Sequence, residues 1–312
     1  MQTLAKPPDP GNSVHLSQIF ESGISSDPFD EIAHLVHILA PAISKKQLFT
    51  IHRDIDGIFS GYNPGFRENR NKYHNLRHTY AVVLATVRLF HGLSVEGVTF
   101  SSAAVLKGLL GAYFHDTGLL LKLSDSAENG AAFTQCHEKR SMDALSHYLE
   151  TSDLDTEIFT DCSAIIQGTT IDFDFLSIPF TSAEIKLVAQ IVATADILAQ
   201  MADRYYIEQL PHLYQEHKDG GVIDHESVFE LMKETASFYD NVIKTRLETV
   251  LADTARAMKL HFQERWNLDR DFYRENVTAN IDYLQMVVGK CANHPEQIFV
   301  YLQRRPPRTK RG

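Results

Sequence analysis

The chain has little that breaks or staples a structure. Its 312 residues include only 16 Gly, 11 Pro and 3 Cys, which excludes collagenous and broadly disordered classes. Cys136, Cys162 and Cys291 are odd in number and far apart. Neither a disulfide framework nor a cysteine-based zinc site is indicated, and a reducing compartment is expected. Positive charge is also scarce, with 30 Lys and Arg against 40 Asp and Glu for a net charge of −10. A dedicated nucleic-acid surface needs a positive face, so that partner class is set aside. No apolar run approaches the length that crosses a bilayer, and the start carries no charged-then-apolar signal pattern. A cytoplasmic protein with no membrane contact is expected. No repeat of fixed period is found.

What the chain does have is a content of 44% hydrophobic and 22% charged residues, enough for a sizeable core. Its length would allow two domains, but no compositional seam divides it. Residues 1–28, rich in Pro, Ser, Gly and Asp, read as a flexible leader. From Phe29 apolar residues recur at helical spacing, as in Ile32, Ala33, Val36 and Leu39, whereas strict alternation is hard to find. The pattern predicts an all-α fold as a single domain over 29–303. Beyond the first helix, further helices are expected over roughly 44–60, 72–91, 99–115, 131–150, 155–168, 182–218, 225–263 and 269–288. Turn chemistry marks 61–65 and 219–221, Ser124 to Gly130 reads as a polar loop, and the short alternation from Asp172 to Ile178 reads as a loop. The segment 304–312 is basic, broken by Pro306 and Pro307, and reads as a solvated tail that can touch an anionic partner.

Chemistry concentrates in three places. In Tyr73-His74-Asn75-Leu76-Arg77-His78, at the start of the 72–91 helix, residues Tyr73, Leu76, Tyr80, Val83, Leu84, Val87 and Phe90 form an apolar arc. The i,i+4 spacing sets His74 and His78 on neighbouring turns beside the small residues Ala81 and Ala85. Such a pair suits a metal ligand plus a proton donor, and it also describes two half-buried core histidines. Second, His115-Asp116 closes an apolar helix ahead of the stop signal Thr117-Gly118. Third, Asp196 lies in Leu187 to Ala199, a helix apolar on nearly every side. A buried carboxylate there needs hydrogen-bond donors or a cation, either a metal or a partner arginine. Together His78, His115, Asp116 and Asp196 make a mixed nitrogen and oxygen set that suits zinc, manganese, iron or magnesium.

These residues resemble the HD superfamily of metal-dependent phosphohydrolases, whose pattern is a histidine, then His-Asp, then a distant aspartate on a helical bundle. The similarity runs from about Lys72 to Asp203, and the segment from Tyr73 to His78 is similar to the signature of class I cyclic-nucleotide phosphodiesterases. The resemblance implies an HD-domain bundle with two divalent metal ions. His78, His115, Asp116 and Asp196 would bind the first ion, with Asp116 bridging to the second and the water between the two ions becoming the nucleophile. It implies His74 as the general acid, with Tyr73 and Asn75 shaping its surroundings at the substrate. It places His137 at the second metal or its water, in contact with substrate, and a first-turn surface histidine is the plain alternative. Arg140, one turn on, reads as a surface salt bridge.

The sequence departs from the cyclic-nucleotide enzymes where they carry a further histidine soon after His-Asp, since it reads Thr117-Gly118-Leu119-Leu120 there. Their purine-reading glutamine has no single counterpart among Gln200, Gln209, Gln263 and Gln285. The acidic pair that follows His-Asp in alarmone hydrolases is missing. The activity expected is a divalent-metal phosphodiesterase acting on a small phosphate ester, a nucleotide or cyclic nucleotide. Alternatives are a phosphomonoesterase and a non-catalytic metal or ligand sensor.

Overall fold

A computed structural model describes residues 28–63, 65–222 and 225–302. The expected leader, apart from Pro28, and the basic tail lie outside the described residues. Twelve α-helices, joined by short 3-10 and π segments, make up an all-α multi-helix bundle with no strand among the described residues. Phe66 and Lys122 form one isolated bridge. No single helix among the described residues is long and apolar enough to cross a membrane.

Helices α1 (Phe29–Leu39) and α2 (Lys45–Phe59) enter the bundle. Helix α3 (Leu76–Val95) is its axis, with every residue from Val82 to Leu93 buried. A helix enclosed on all sides cannot be amphipathic, which is why its polar members include the buried Thr79, Thr86 and Arg88. Against α3 pack α4 (Ser102–Phe114), α7 (Ala183–Met201) and α10 (Ala257–Trp266). Helices α5 (His137–Thr151) and α6 (Phe159–Gln167) cover α4, while α8 (Tyr206–Gly220), α9 (Val228–Phe238), α11 (Phe272–Cys291) and α12 (Ile298–Tyr301) complete the far side. Serine or asparagine side chains cap the N-termini of α2, α3, α4, α7 and α9.

Four expected helices differ in their bounds or continuity, and the one expected over 131–150 opens with the 3-10 segment Gly130–Cys136 before its α-helical part, His137–Thr151. The one expected over 72–91 starts at Leu76 and runs to Val95, because Asn75 caps it. The long helix expected over 182–218 is two helices, α7 and α8, which meet at a bend of 107°. Asp203 makes the corner, accepting from Tyr205 N at 2.7 Å through Oδ1 and pairing with Arg77 through Oδ2. Asn280 of α11 donates to the carbonyls of Met201 and Asp203, both at 2.8 Å, which satisfies acceptors that the break frees. The stretch expected as helical over 225–263 also divides. After α9 come π-helical segments Tyr239–Ile243 and Arg246–Val250, and left-handed Ala252 (φ 53) and Asp253 (φ 50) end the run before α10.

Candidate metal centre

His78 is placed by the start of α3. Asn75 Oδ1 accepts from His78 N at 3.2 Å, and Asn75 Nδ2 donates to Lys72 O at 2.7 Å. The asparagine therefore closes the turn from both sides and fixes where the helix begins. His74 lies before that cap, so the expectation that His74 and His78 occupy neighbouring turns of one helix is corrected. Their rings still lie 6.1 Å apart between centroids, because Asn69 Nδ2 holds His74 O at 3.0 Å and the ring is held elsewhere. His74 Nδ1 donates to Glu216 Oε2 of α8 at 2.7 Å, and the backbone N–H of Tyr73 donates to the other oxygen at 2.7 Å.

His115 and Asp116 sit where α4 ends. His115 Nδ1 donates to Ala112 O at 2.9 Å, which turns the ring so that Nε2 faces the site. The next turn is locked by close packing. A Cβ on Gly118 would stand 1.9 Å from His137 O, so only glycine lets the start of α5 come this near. Ser141 Oγ donates to His115 O at 2.6 Å and accepts from Gly118 N at 2.8 Å. Arg140 donates to Gly118 O at 2.8 Å and Leu120 O at 3.0 Å and pairs with Asp125 at 2.7 Å. The Arg140 and Asp125 side chains are only 16% and 14% exposed, which corrects the reading of Arg140 as a surface residue and makes it a clamp on this turn.

Four side chains converge. His78 Nε2 and His115 Nε2 are 3.3 Å apart. Asp116 Oδ2 lies 3.4 Å from the first and 3.2 Å from the second, and Asp196 Oδ1 of α7 lies 3.2 Å and 3.6 Å from them. The ligand atoms of His78, His115 and Asp116 fall within 4.8 Å of one another. Asp196 meets these two histidines and no arginine among the described residues. A cation bound at about 2.0–2.2 Å holds its ligands roughly 3.0–3.5 Å apart, and the observed separations are close to that range. Asp116 Oδ2 is buried with no directed hydrogen-bond partner among the described residues, an orphan that a cation would satisfy. His78, His115 and Asp116 thus fit a divalent metal, with Asp196 against both imidazoles beside them.

The electrostatics agree with that fit. Burial resists charge on His78, yet Asp116 and Asp196 outweigh it and push the imidazole pKa up to about 9. His115 is raised well above its ordinary value by the same two carboxylates against burial. Burial likewise opposes ionisation of Asp116 and Asp196, and the imidazoles overcome it and hold both well below the usual carboxylate range. Whether proton or metal, positive charge belongs between these groups.

His137 stands at the edge of the cluster. Its Nδ1 donates to Thr134 O at 2.8 Å, and its Nε2 is 3.6 Å from Asp116 Oδ1. Tyr73 is buried, burial drives its phenol pKa well up, and its hydroxyl has no hydrogen-bond partner among the described residues. Tyr73, Asn75 and His78 border a small cavity of about 60 Å³, and both Gln200 and Gln209 reach its wall. Glu216 is the residue that the sequence reading missed. It lies in the polar stretch Gln215-Glu216-His217-Lys218, where nothing distinguishes it, and only the bend between α7 and α8 carries it to His74. No family model, curated protein or solved structure matches this chain.

Proposed function

We propose that the chain is a divalent-metal-dependent phosphohydrolase whose substrate is a phosphodiester, a nucleotide or cyclic nucleotide. The observation that carries this reading is a division of labour among neighbouring groups. His78, His115 and Asp116 face one another at ligand spacing with Asp196 against both imidazoles, while His74 stands beside them and spends Nδ1 on Glu216. A metal held by those four residues would supply Lewis-acid polarisation of the phosphoryl oxygens and a more acidic water. His74, with Nδ1 committed, keeps Nε2 for giving a proton to the departing ester oxygen. Glu216 is a positioning residue, since it fixes both the His74 ring and the Tyr73 backbone. Asp116 offers Oδ2 to the cluster and has His137 Nε2 at 3.6 Å from Oδ1, an arrangement compatible with a carboxylate shared between two ions. The resemblance to HD phosphohydrolases, and within them to cyclic-nucleotide phosphodiesterases, supports the reaction class.

A phosphomonoesterase is the second reading, favoured by the size of the adjoining cavity, about 60 Å³, which is small for a whole nucleotide. The two are separated by hydrolysis of bis(p-nitrophenyl) phosphate against p-nitrophenyl phosphate, with manganese added and after chelation. Faster metal-dependent cleavage of the diester supports the proposal, and faster cleavage of the monoester favours the second reading. Silence on both with metal bound would favour a binding or sensing role.

A further inference from the structure

A cleft of about 510 Å³ opens between α7, α11 and the π-helical run after α9. It is separate from the metal cluster. At ~100° per residue its α7 members Ile197, Leu198 and Met201 fall in an arc turned away from Asp196. With Val277 and Ile281 of α11 they make an apolar floor. The walls are acidic. Asp240, Glu248, Asp253, Asp271 and Asp282 line them against two cations, Lys244 and Arg274. Arg274 lies 3.9 Å from Asp271, and Asp240, Glu248, Asp253 and Asp282 form no ion pair among the described residues. Burial raises the Asp271 pKa in spite of Arg274. An apolar floor under a net negative rim calls for a cationic occupant that brings some apolar surface.

The chain itself carries such a segment. Residues 304–311, outside the described residues, read Arg-Arg-Pro-Pro-Arg-Thr-Lys-Arg, five cations with no acid. The point of departure is fixed, because Tyr283 Oη donates to Tyr301 O at 2.6 Å and so ties the end of α12 to α11. Cleft residues Arg274, Val277, Thr278, Ile281, Asp282 and Gln285 share one arc of α11, and Tyr283 lies on the opposite one. Passing round a helix of ~10–12 Å diameter takes about 16–20 Å, which roughly six extended residues span. The pair Pro306-Pro307 favours an extended path and removes two backbone donors that would otherwise need partners. We propose that residues 304–311 dock in this acidic cleft of the same molecule, their cations on its carboxylate rim and the prolines over its apolar floor. Tethering sets an effective concentration of order mM, so even weak intrinsic affinity keeps the segment in place. The assignment is independent of the proposed reaction.

Zero-length carbodiimide coupling on the full chain tests it, since it joins an amine to a carboxylate only at contact. The expected product is an intramolecular amide between Lys310 and one of Asp240, Glu248, Asp253 or Asp282, found by peptide mass spectrometry. Its yield should fall severalfold when salt is raised to about 0.5 M, where charge attraction is screened within a few ångströms. Glu248→Lys with Asp282→Lys, both at exposed positions, should likewise reduce coupling at the remaining two acids severalfold. The exposed pair Lys259 and Asp269, 3.0 Å apart, reports that the reagent is working. Coupling of Lys310 to acids scattered over the surface, coupling only between two copies, no Lys310 product while the control pair couples, or yields indifferent to the charge reversal would each overturn the proposal.

Discussion

Stripping metal from the cluster should make the stability of the fold depend on pH in a window where the loaded protein is indifferent. In the metal-free cluster His78 has its pKa raised from 6.5 to about 9. A group whose pKa is higher folded than unfolded stabilises the fold fully below its unfolded value and ceases to do so as pH rises through its folded value. The window is therefore pH 6.5 to about 9, and the His78 shift corresponds to roughly 3 kcal/mol lost across it. His115 is raised as well, but its Nε2 is 3.3 Å from that of His78 and both cannot aim a proton along that line, so its share is not counted twice. Bound metal displaces the proton, and the loaded protein should lose little over the same window. Asp116 and Asp196 act in the opposite sense. Both are held low, so their contribution is present above about pH 4 and lost as pH falls further. Urea unfolding of chelator-treated and metal-loaded protein at half-unit steps from pH 6 to 9.5 reads this directly. Metal-free stability that stays flat over the window, or metal-free and loaded curves that fall together, would refute the reasoning.

Three further predictions concern the neighbours of the cluster. His74→Ala should keep metal near full occupancy while slowing hydrolysis of a nucleotide diester by about 10²–10⁴-fold, and the loss should be much smaller on a nitrophenyl diester, whose leaving group needs no proton; equal losses, or lost metal, would remove His74 from the role of acid. Glu216→Gln should retain metal and slow the nucleotide diester less than His74→Ala does, with a shifted pH–rate profile; an unchanged rate and profile would leave Glu216 without a positioning role. Gly118→Ala puts a Cβ 1.9 Å from His137 O, so the α5 start must move by over an ångström, at a cost of about 1–3 kcal/mol. Metal affinity should fall with it, and unfolding and metal titration of this variant at wild-type values would contradict the tight turn described here.

Helical periodicity made the class of the fold legible, and residue type and helical context singled out His78, His115, Asp116 and Asp196, which the structure brings together. Asp196 in its apolar helix is the clearest case, since an ionised group among Val192, Ala193, Ala195 and Ile197 needs compensation, and the structure, which leaves its side chain 22% exposed, sets it against two imidazoles. What stayed illegible depended on tertiary partners. The corner at Asp203 is completed by Asn280, 77 residues away, and no local breaker announces it. Glu216 acquires its role only because that corner swings α8 back to His74. Arg140 looks like an ordinary helix-surface cation until the carbonyls of Gly118 and Leu120 are seen beside it. His74 and His78 were paired for the wrong local reason, because an i,i+4 spacing does not show that a cap falls between its members.

Anomalous diffraction from crystals grown with manganese or zinc decides whether His78, His115, Asp116 and Asp196 together hold a divalent metal. The expected result is a peak about 2.0–2.3 Å from His78 Nε2, His115 Nε2 and one oxygen each of Asp116 and Asp196. An anomalous map with no peak there, or with a peak only elsewhere while the histidine–carboxylate contacts stay at 3.2–3.6 Å, would contradict it.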